Sequence, residues 1–219
     1  MVGVPNRFIT GTPFLINFDW TDSVTGLGFI TFKGYATTDS AGTNYVLGRN
    51  EVYSDPIATE DTATEDGTFQ LLSDLDFDTE TFKKPLTAKG TATINLSFSC
   101  NGDDSSGYVV VTIYHYDGST ETSIGTATTA TMTGGDDEPT QCIDISLTEK
   151  TFAIGDLLRL NLKGYVKGAT PAAGDLYISI GHDPQNRDWD ASTGNFTDLT
   201  SAAGETTKLD FHMPFKVNE

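Results

Sequence analysis

Residues 91–100 read Thr-Ala-Thr-Ile-Asn-Leu-Ser-Phe-Ser-Cys, so that apolar Ile94, Leu96 and Phe98 alternate with polar side chains. Successive side chains of a β-strand point to opposite faces of a sheet, and this alternation therefore predicts a strand with one buried face and one solvated face. The same alternation returns near the C-terminus, in residues 206–217. No segment shows the apolar period of an amphipathic helix. The sequence therefore predicts an all-β fold.

The chain contains about ten such segments, separated by loops rich in Gly, Asp and Ser. Because many short strands with polar turns are typical of two-layer β folds, we expect an antiparallel β-sandwich that is jelly-roll-like. The length of 219 residues suits one domain of this kind at residues 27–219, preceded by an extended N-terminal arm at residues 1–26. The acidic segment Asp55–Thr68 is expected to be a mobile loop.

The arm combines Gly and Pro positions that interrupt regular structure with an apolar and aromatic run that has no clear period. Two interpretations fit this composition equally well. The arm either covers an open edge or face of its own domain, or it docks onto a neighbouring subunit. In the second case the anchoring side chains are expected to be Phe8, Phe14, Phe18 and Trp20.

The chain is strongly acidic, with 13 Lys and Arg against 31 Asp and Glu, a formal net charge of -18 and a pI near 4.2. A field of this sign repels phosphate backbones and anionic lipid head groups, so we expect neither nucleic acid nor a membrane as a partner. No segment is apolar over the length of a membrane span, and the N-terminus lacks the pattern of a secretory signal. We therefore expect a chain made in the cytoplasm and left there, or assembled there into a particle.

The two cysteines are predicted to be free thiols. Cys100 continues the apolar parity of its strand, whereas Cys142 shares its face with polar side chains, so the two sulfurs are expected on opposite sheet faces. The three histidines, His115, His182 and His212, are expected at strand ends and on outward faces. Their spacing is not that of a zinc site, and no metal is expected to bind them.

Four carboxylates of one parity, Asp74, Asp76, Asp78 and Glu80, follow one another along a predicted strand. They could form a divalent-cation site or a patch for a basic partner, but side chains two residues apart lie about 6–7 Å from each other, which is too far for a compact calcium cage. A solvated outer strand face is the favoured interpretation. Motifs of serine hydrolases, zinc peptidases and phosphate-binding loops are absent, so we expect no enzyme and no cofactor.

The most distinctive predicted loop is His182–Phe196, because it places Trp189 beside Arg187 among amides and carboxylates. An exposed Trp in polar surroundings suits an anchor at a subunit interface or a sugar-binding platform. A lid that packs Trp189 over one end of the sandwich is slightly favoured over both. Of the two functional interpretations, the subunit interface is preferred.

Two longer phrases carry a resemblance to a known class of proteins. One is Leu147-Thr-Glu-Lys-Thr-Phe-Ala-Ile-Gly-Asp-Leu-Leu-Arg-Leu-Asn-Leu, and the other is Phe82-Lys-Lys-Pro-Leu-Thr-Ala-Lys-Gly-Thr-Ala-Thr-Ile. They resemble phrases of β-sandwich virion proteins of tailed phages and related viruses. The resemblance implies a capsid decoration, auxiliary or vertex protein that works as a symmetric oligomer, and it implies no catalytic residues.

The first functional hypothesis is a structural virion protein on the capsid exterior, favoured as a homotrimer, that stabilises the shell through contacts with other capsid proteins. The acidity agrees with an exterior position, where no genome phosphates have to be neutralised. The second hypothesis is a non-catalytic, monomeric carbohydrate-binding module that stacks sugars on Trp189 with Tyr165 or Tyr177. The third is a small glycan-processing enzyme, which needs a carboxyl group of raised pKa in a cleft.

Overall fold

A computed structural model describes residues 27–38, 44–49, 58–64, 67–100, 105–133, 140–168, 175–182, 188–190, 195–197, 205–206 and 209–216. These residues form fifteen strands and no helix, which confirms the predicted all-β fold. The strands are β1 (Leu27–Thr38), β2 (Tyr45–Gly48), β3 (Ala58–Thr64), β4 (Gln70–Thr79), β5 (Leu86–Cys100), β6 (Ser106–Tyr116), β7 (Glu121–Thr128), β8 (Met132–Thr133), β9 (Gln141–Phe152), β10 (Leu157–Lys167), β11 (Asp175–Gly181), β12 (Asp188–Asp190), β13 (Asn195–Thr197), β14 (Glu205–Thr206) and β15 (Leu209–Lys216).

One long sheet follows the order β3-β11-β5-β15-β1-β2-β4-β10-β6-β7, with β9 added to β5 and β8 added to β6. A separate small sheet has the order β13-β12-β14. The strand pairs are antiparallel as predicted, except that β2 and β4 run parallel. In the described residues no helix is long and apolar enough to cross a bilayer. The predicted arm, residues 1–26, lies outside the described residues.

The long sheet curls until its last strand, β7, reaches β9. A Cβ atom added to Gly125 of β7 would lie 2.8 Å from Cγ2 of Ile145 and 3.1 Å from the carbonyl oxygen of Ser146 in β9, so glycine permits this close approach. Beside it the Gln141 side chain accepts a hydrogen bond from the Ala130 N–H at 2.9 Å and donates one to the Ala130 carbonyl at 3.3 Å. Two layers therefore enclose one core, as in a β-sandwich.

The core contains the inward positions that the sequence alternation predicts. Ile94, Leu96 and Phe98 of β5 are fully buried, and so are Leu160 and Leu162 of β10. Burying a side chain of this size contributes roughly 1.5–3 kcal/mol. Four phenylalanines of the core are fully buried, namely Phe77, Phe98, Phe152 and Phe211.

The prediction of a mobile loop at Asp55–Thr68 is wrong for its central part. Ala58–Thr64 forms β3, which pairs antiparallel with β11 over its whole length, from Ala58 opposite Gly181 to Thr64 opposite Asp175. A ladder is built from backbone groups, so a strand at the end of a sheet forms without apolar alternation in its sequence.

The prediction of two free cysteines is confirmed, with Cys100 buried and Cys142 exposed. His115 and His182 lie at strand ends as predicted, but both are buried and neither lies on an outward face. His115 has the inward parity of Ile113 in β6, and its Nε2 lies 2.6 Å from an Asp156 carboxylate oxygen. That hydrogen bond is the main cause that lowers the pKa of Asp156.

His182 follows β11 and packs against the rings of Tyr45 and Phe77, at centroid distances of 4.7 and 5.2 Å. Its burial lowers its pKa to about 4, because desolvation disfavours the charged imidazolium. The side chain is therefore neutral at pH 7 and acts as a core aromatic. His212 lies on an outward face as predicted, with Nδ1 at 2.9 Å from the Thr31 hydroxyl.

Candidate interaction surface

The outer face of β4, β10, β6 and β7 is called the contact face here, and its rows follow from the strand register. Arg159 of β10 lies between Asp78 of β4 and Tyr114 of β6. Two residues further along β10, the corresponding row is centred on Asn161, and the next is centred on Lys163. The outward side chains of β10 therefore lie directly beside the acidic side chains of β4.

The Arg159 guanidinium is held in place on several sides. Its Nε and Nη2 donate to the two carboxylate oxygens of Asp78 at 2.7 and 2.6 Å, and Nη1 donates to Glu121. The guanidinium also lies 5.0 Å from the centre of the Tyr116 ring. These carboxylates, with the Asp78 hydrogen bonds first, raise the pKa of Arg159 far above its usual range. A bidentate pair of this kind is both strong and geometrically specific.

The Asn161 amide continues the row by donating to Asp74 at 2.6 Å and to Asp76 at 2.8 Å. Lys163 adds an ion pair with Asp74 at 3.3 Å. Burial raises the pKa of Asp76 against the opposing effects of Asn161 and Arg159. The predicted solvated acidic face is therefore an ionic network with β10, a partnership that the sequence did not reveal because β4 and β10 are far apart along the chain.

Beyond the ionic network the contact face becomes aromatic. We define the aromatic patch as Phe69, Leu71, Tyr108 and Tyr165. Phe69 is 38% and Leu71 is 47% exposed. The Tyr108 and Tyr165 rings stack at 5.1 Å with an angle of 14°, and Phe69 meets Tyr108 edge-on at 4.8 Å. Lys167 Nζ lies 4.8 Å from the Phe69 ring centre.

This arrangement fits a protein contact better than a sugar platform. Exposed apolar side chains in contact with one another, bordered by charges and amides, resemble the apolar centre and polar rim of protein interfaces. A sugar stacks on a free ring face, whereas Tyr108 and Tyr165 already cover one face of each other and Phe69 covers part of Tyr108. The patch therefore presents ring edges and the Leu71 side chain to solvent.

A second feature is a cleft of about 650 Å³ where β2 ends beside β1. Its floor includes the buried side chains of Phe32, Leu47 and Phe82. Its rim includes the exposed, charged side chains of Arg49 and Lys83. Within the part of the chain that the structure describes, no group of three or more His, Cys, Asp or Glu side chains is arranged to hold a metal ion.

The predicted site residues are only partly described. Phe8, Phe14, Phe18 and Trp20 lie outside the described residues. Trp189 lies in β12, where its backbone pairs with Phe196 of β13 and with Glu205 of β14. The predicted loop His182–Phe196 thus contains a short strand.

Of the two predicted partners of Trp189, Tyr177 lies opposite Thr62 in the ladder of β11 and β3, and Tyr165 belongs to the aromatic patch. Phe69, Leu71 and Tyr108 were not predicted as site residues from the sequence. The outward parity of Tyr165, which it shares with Arg159 and Lys163, was the available signal.

No protein-family model matches this chain, and no curated protein matches it. Among solved structures, it is similar to an aminopeptidase from a marine sediment Thaumarchaeota archaeon, at 12% identity with a TM-score of 0.53, over 84% of this chain and 36% of the other. A CocE/NonD family hydrolase from Staphylococcus aureus matches at 13% identity and a TM-score of 0.44, over 87% and 35%. The VP2 subviral particle of infectious bursal disease virus matches at 13% identity and a TM-score of 0.24, over 84% and 46%.

These likenesses are too distant in sequence to concern anything but the fold. The aminopeptidase match shows a shared β fold, and the two matches of lower TM-score add nothing to it. The chain spans about a third of the length of the aminopeptidase and of the hydrolase.

Proposed function

We propose that this chain is a non-catalytic structural subunit that binds other protein subunits, as a decoration, auxiliary or minor component of a virion shell. The observation that carries the proposal is the aromatic patch, which leaves Phe69 and Leu71 exposed next to stacked tyrosines. Covering the exposed parts of these side chains on association contributes roughly 1 kcal/mol each.

The charge distribution supports the outer surface of such a shell. A net charge of -18 keeps the assembled particle soluble and avoids any interior position against genome phosphates. The resemblance of residues 82–94 and 147–162 to β-sandwich virion proteins of tailed phages gives the proposal its specific form. Other capsid proteins are the proposed partners, with a homotrimer as the favoured assembly state and the capsid exterior as its location.

The test is the solution mass of the purified chain by light scattering, at several concentrations and with a chelator present. The proposal expects a closed oligomer, with three subunits as the favoured number, because exposed patches on identical subunits are covered by closed symmetry. A mass of one subunit at every concentration, together with no binding to shell proteins, contradicts it.

A carbohydrate-binding module is the second candidate, because Tyr165 lies at the surface as its platform requires. The two candidates differ in what Tyr165→Ala does. In the carbohydrate module this substitution abolishes binding on a glycan array and leaves the mass unchanged. In the proposed subunit no glycan binds the wild-type chain, and the substitution weakens association.

A further inference from the structure

The cleft beside β1 has an apolar floor and a cationic rim. Phe32, Leu47 and Phe82 are buried along its floor, and its volume of about 650 Å³ is within the range of specific binding sites. An apolar floor of this kind takes side chains that alternate with solvent-facing ones, as in an extended peptide.

The rim of the cleft has a net positive charge, whereas the chain as a whole is strongly negative. Three cationic side chains, Arg49, Lys83 and Lys84, stand against one carboxylate, Glu80. In a chain with 31 acidic and 13 basic residues, this concentration of cations selects an acidic ligand.

The cleft also borders an open strand edge. On the side away from β15, β1 pairs with β2 only from Lys33 to Thr38. Among the described strands, none pairs with that edge of β1 between Leu27 and Phe32. Backbone N–H and C=O groups at such an edge are a template for an added strand.

The N-terminal segment Phe14–Asp22 has the matching chemistry. The apolar run as a whole has no clear period, but within it Phe14, Ile16, Phe18 and Trp20 occupy alternate positions, and the acidic residues of the segment are Asp19 and Asp22. An extended strand of this sequence has one aromatic face and a carboxylate-bearing end.

We infer that the cleft binds the segment Phe14–Asp22 of a second copy of this chain, an inference that rests on the proposed function. The segment adds a strand to the open edge of β1, its aromatic face enters the cleft that Phe32, Leu47 and Phe82 help to line, and its carboxylates meet the lysines of the rim. The arm thereby links neighbouring subunits of the shell.

The first test uses disulfide formation between full-length chains in a Cys142→Ser background, which removes the exposed native thiol. Differently tagged chains carrying Asp19→Cys and Thr81→Cys are co-expressed, since Thr81 lines the cleft. Oxidation is expected to link the two tagged chains. The matched control replaces Thr81→Cys by Thr151→Cys, an exposed position on β9, and is expected to give no link.

Two results overturn the inference. One is a link that forms only when both cysteines are in the same chain, which means that the arm covers its own domain. The other is the absence of any link. An oligomeric mass without a link refutes this inference and leaves the proposed function intact, whereas a monomeric mass together with no binding to shell proteins contradicts both.

A second test probes the cationic rim without cysteines. Lys84→Glu is expected to raise the dissociation constant of the oligomer roughly 3- to 10-fold, and added salt weakens the wild type in the same direction. Lys150→Glu changes the net charge equally on β9, outside the cleft, and is expected to leave the constant unchanged. Equal effects of the two substitutions contradict the inference.

Discussion

The two outer faces of this sandwich both border solvent, but they differ in the side chains that they expose. The contact face uses long and rigid groups, the Arg159 fork and the stacked pair of Tyr108 and Tyr165. The opposite face, formed by β9, β5, β15 and β1, combines short hydroxyl side chains with exposed ion pairs of Glu149 with Lys89 and Lys216. There the Thr93 hydroxyl donates to Asp144 at 2.7 Å, and the Thr87 and Thr151 hydroxyls lie 2.9 Å apart.

The difference indicates which face is suited to a partner. Side chains that are already fixed by neighbours lose little conformational freedom on binding, so a preorganised surface binds at a lower entropic cost. Short hydroxyls paired with each other across strands provide little apolar area to bury. We therefore propose that the side chains of the contact face bind other subunits, in addition to the proposed binding of the arm at the open edge of β1.

Among the substitutions that compare the two faces, removal of the Arg159 side chain is expected to lower the free energy of unfolding most. Arg159 is 11% and Asp78 is 12% exposed at their side chains, so Arg159→Ala leaves a nearly buried carboxylate without its cation. We expect the free energy of unfolding to fall by roughly 2–4 kcal/mol, measured by urea denaturation.

Lys163→Ala is the control on the same strand. Its ion pair with Asp74 is much more exposed, and pairs of this kind contribute roughly 0–1 kcal/mol. A loss from Arg159→Ala no larger than that from Lys163→Ala contradicts the description of the contact face as a fixed network.

The dependence of stability on pH tests the layer beneath the contact face, where His182 packs against Phe77 of β4. An unfolded chain protonates this imidazole near pH 6.5, whereas burial delays protonation in the folded chain to about pH 4. The unfolded state therefore binds more protons in that window, and the free energy of unfolding falls as the pH falls through it. His182→Gln is expected to flatten the slope between pH 6.5 and 4, as followed by thermal unfolding. An unchanged slope in the variant shows that another group is responsible.

The smallest change in the free energy of unfolding is expected from a substitution on the opposite face. Thr93→Ala removes a hydroxyl that is hydrogen-bonded to exposed Asp144, and surface substitutions of this kind change the free energy of unfolding by about 0.5 kcal/mol or less. Denaturation beside the wild type measures this directly. A loss comparable with that of Arg159→Ala means that the two faces do not differ in the way described.

The sequence predicted the buried half of this molecule well. Alternation along β5 and β10 identifies the inward residues, because a one-residue shift of a strand moves every apolar side chain into solvent. The same parity places His115 inward with Val111 and Ile113, so the burial of His115 was predictable from the alternation along β6.

The contact face was not predictable in the same way. Its ionic network depends on β4 lying next to β10, and the order of strands in a sheet has no local signal. β3 was missed because Ala, Thr and acidic residues carry no apolar period, and only its backbone pairing with β11 defines it as a strand. Features that depend on one strand could be predicted from the sequence, whereas features that depend on which strands are neighbours could not.

The most direct measurement of the central claim compares Leu71→Glu with Phe29→Glu by light scattering. Both side chains are 47% exposed, Leu71 on the contact face and Phe29 on β1 of the opposite face, so the substitutions are matched in exposure and in charge. The account predicts that Leu71→Glu reduces the oligomer to single subunits, whereas Phe29→Glu retains the wild-type mass. Dissociation by Phe29→Glu with an intact oligomer in Leu71→Glu contradicts the assignment of protein contacts to the contact face.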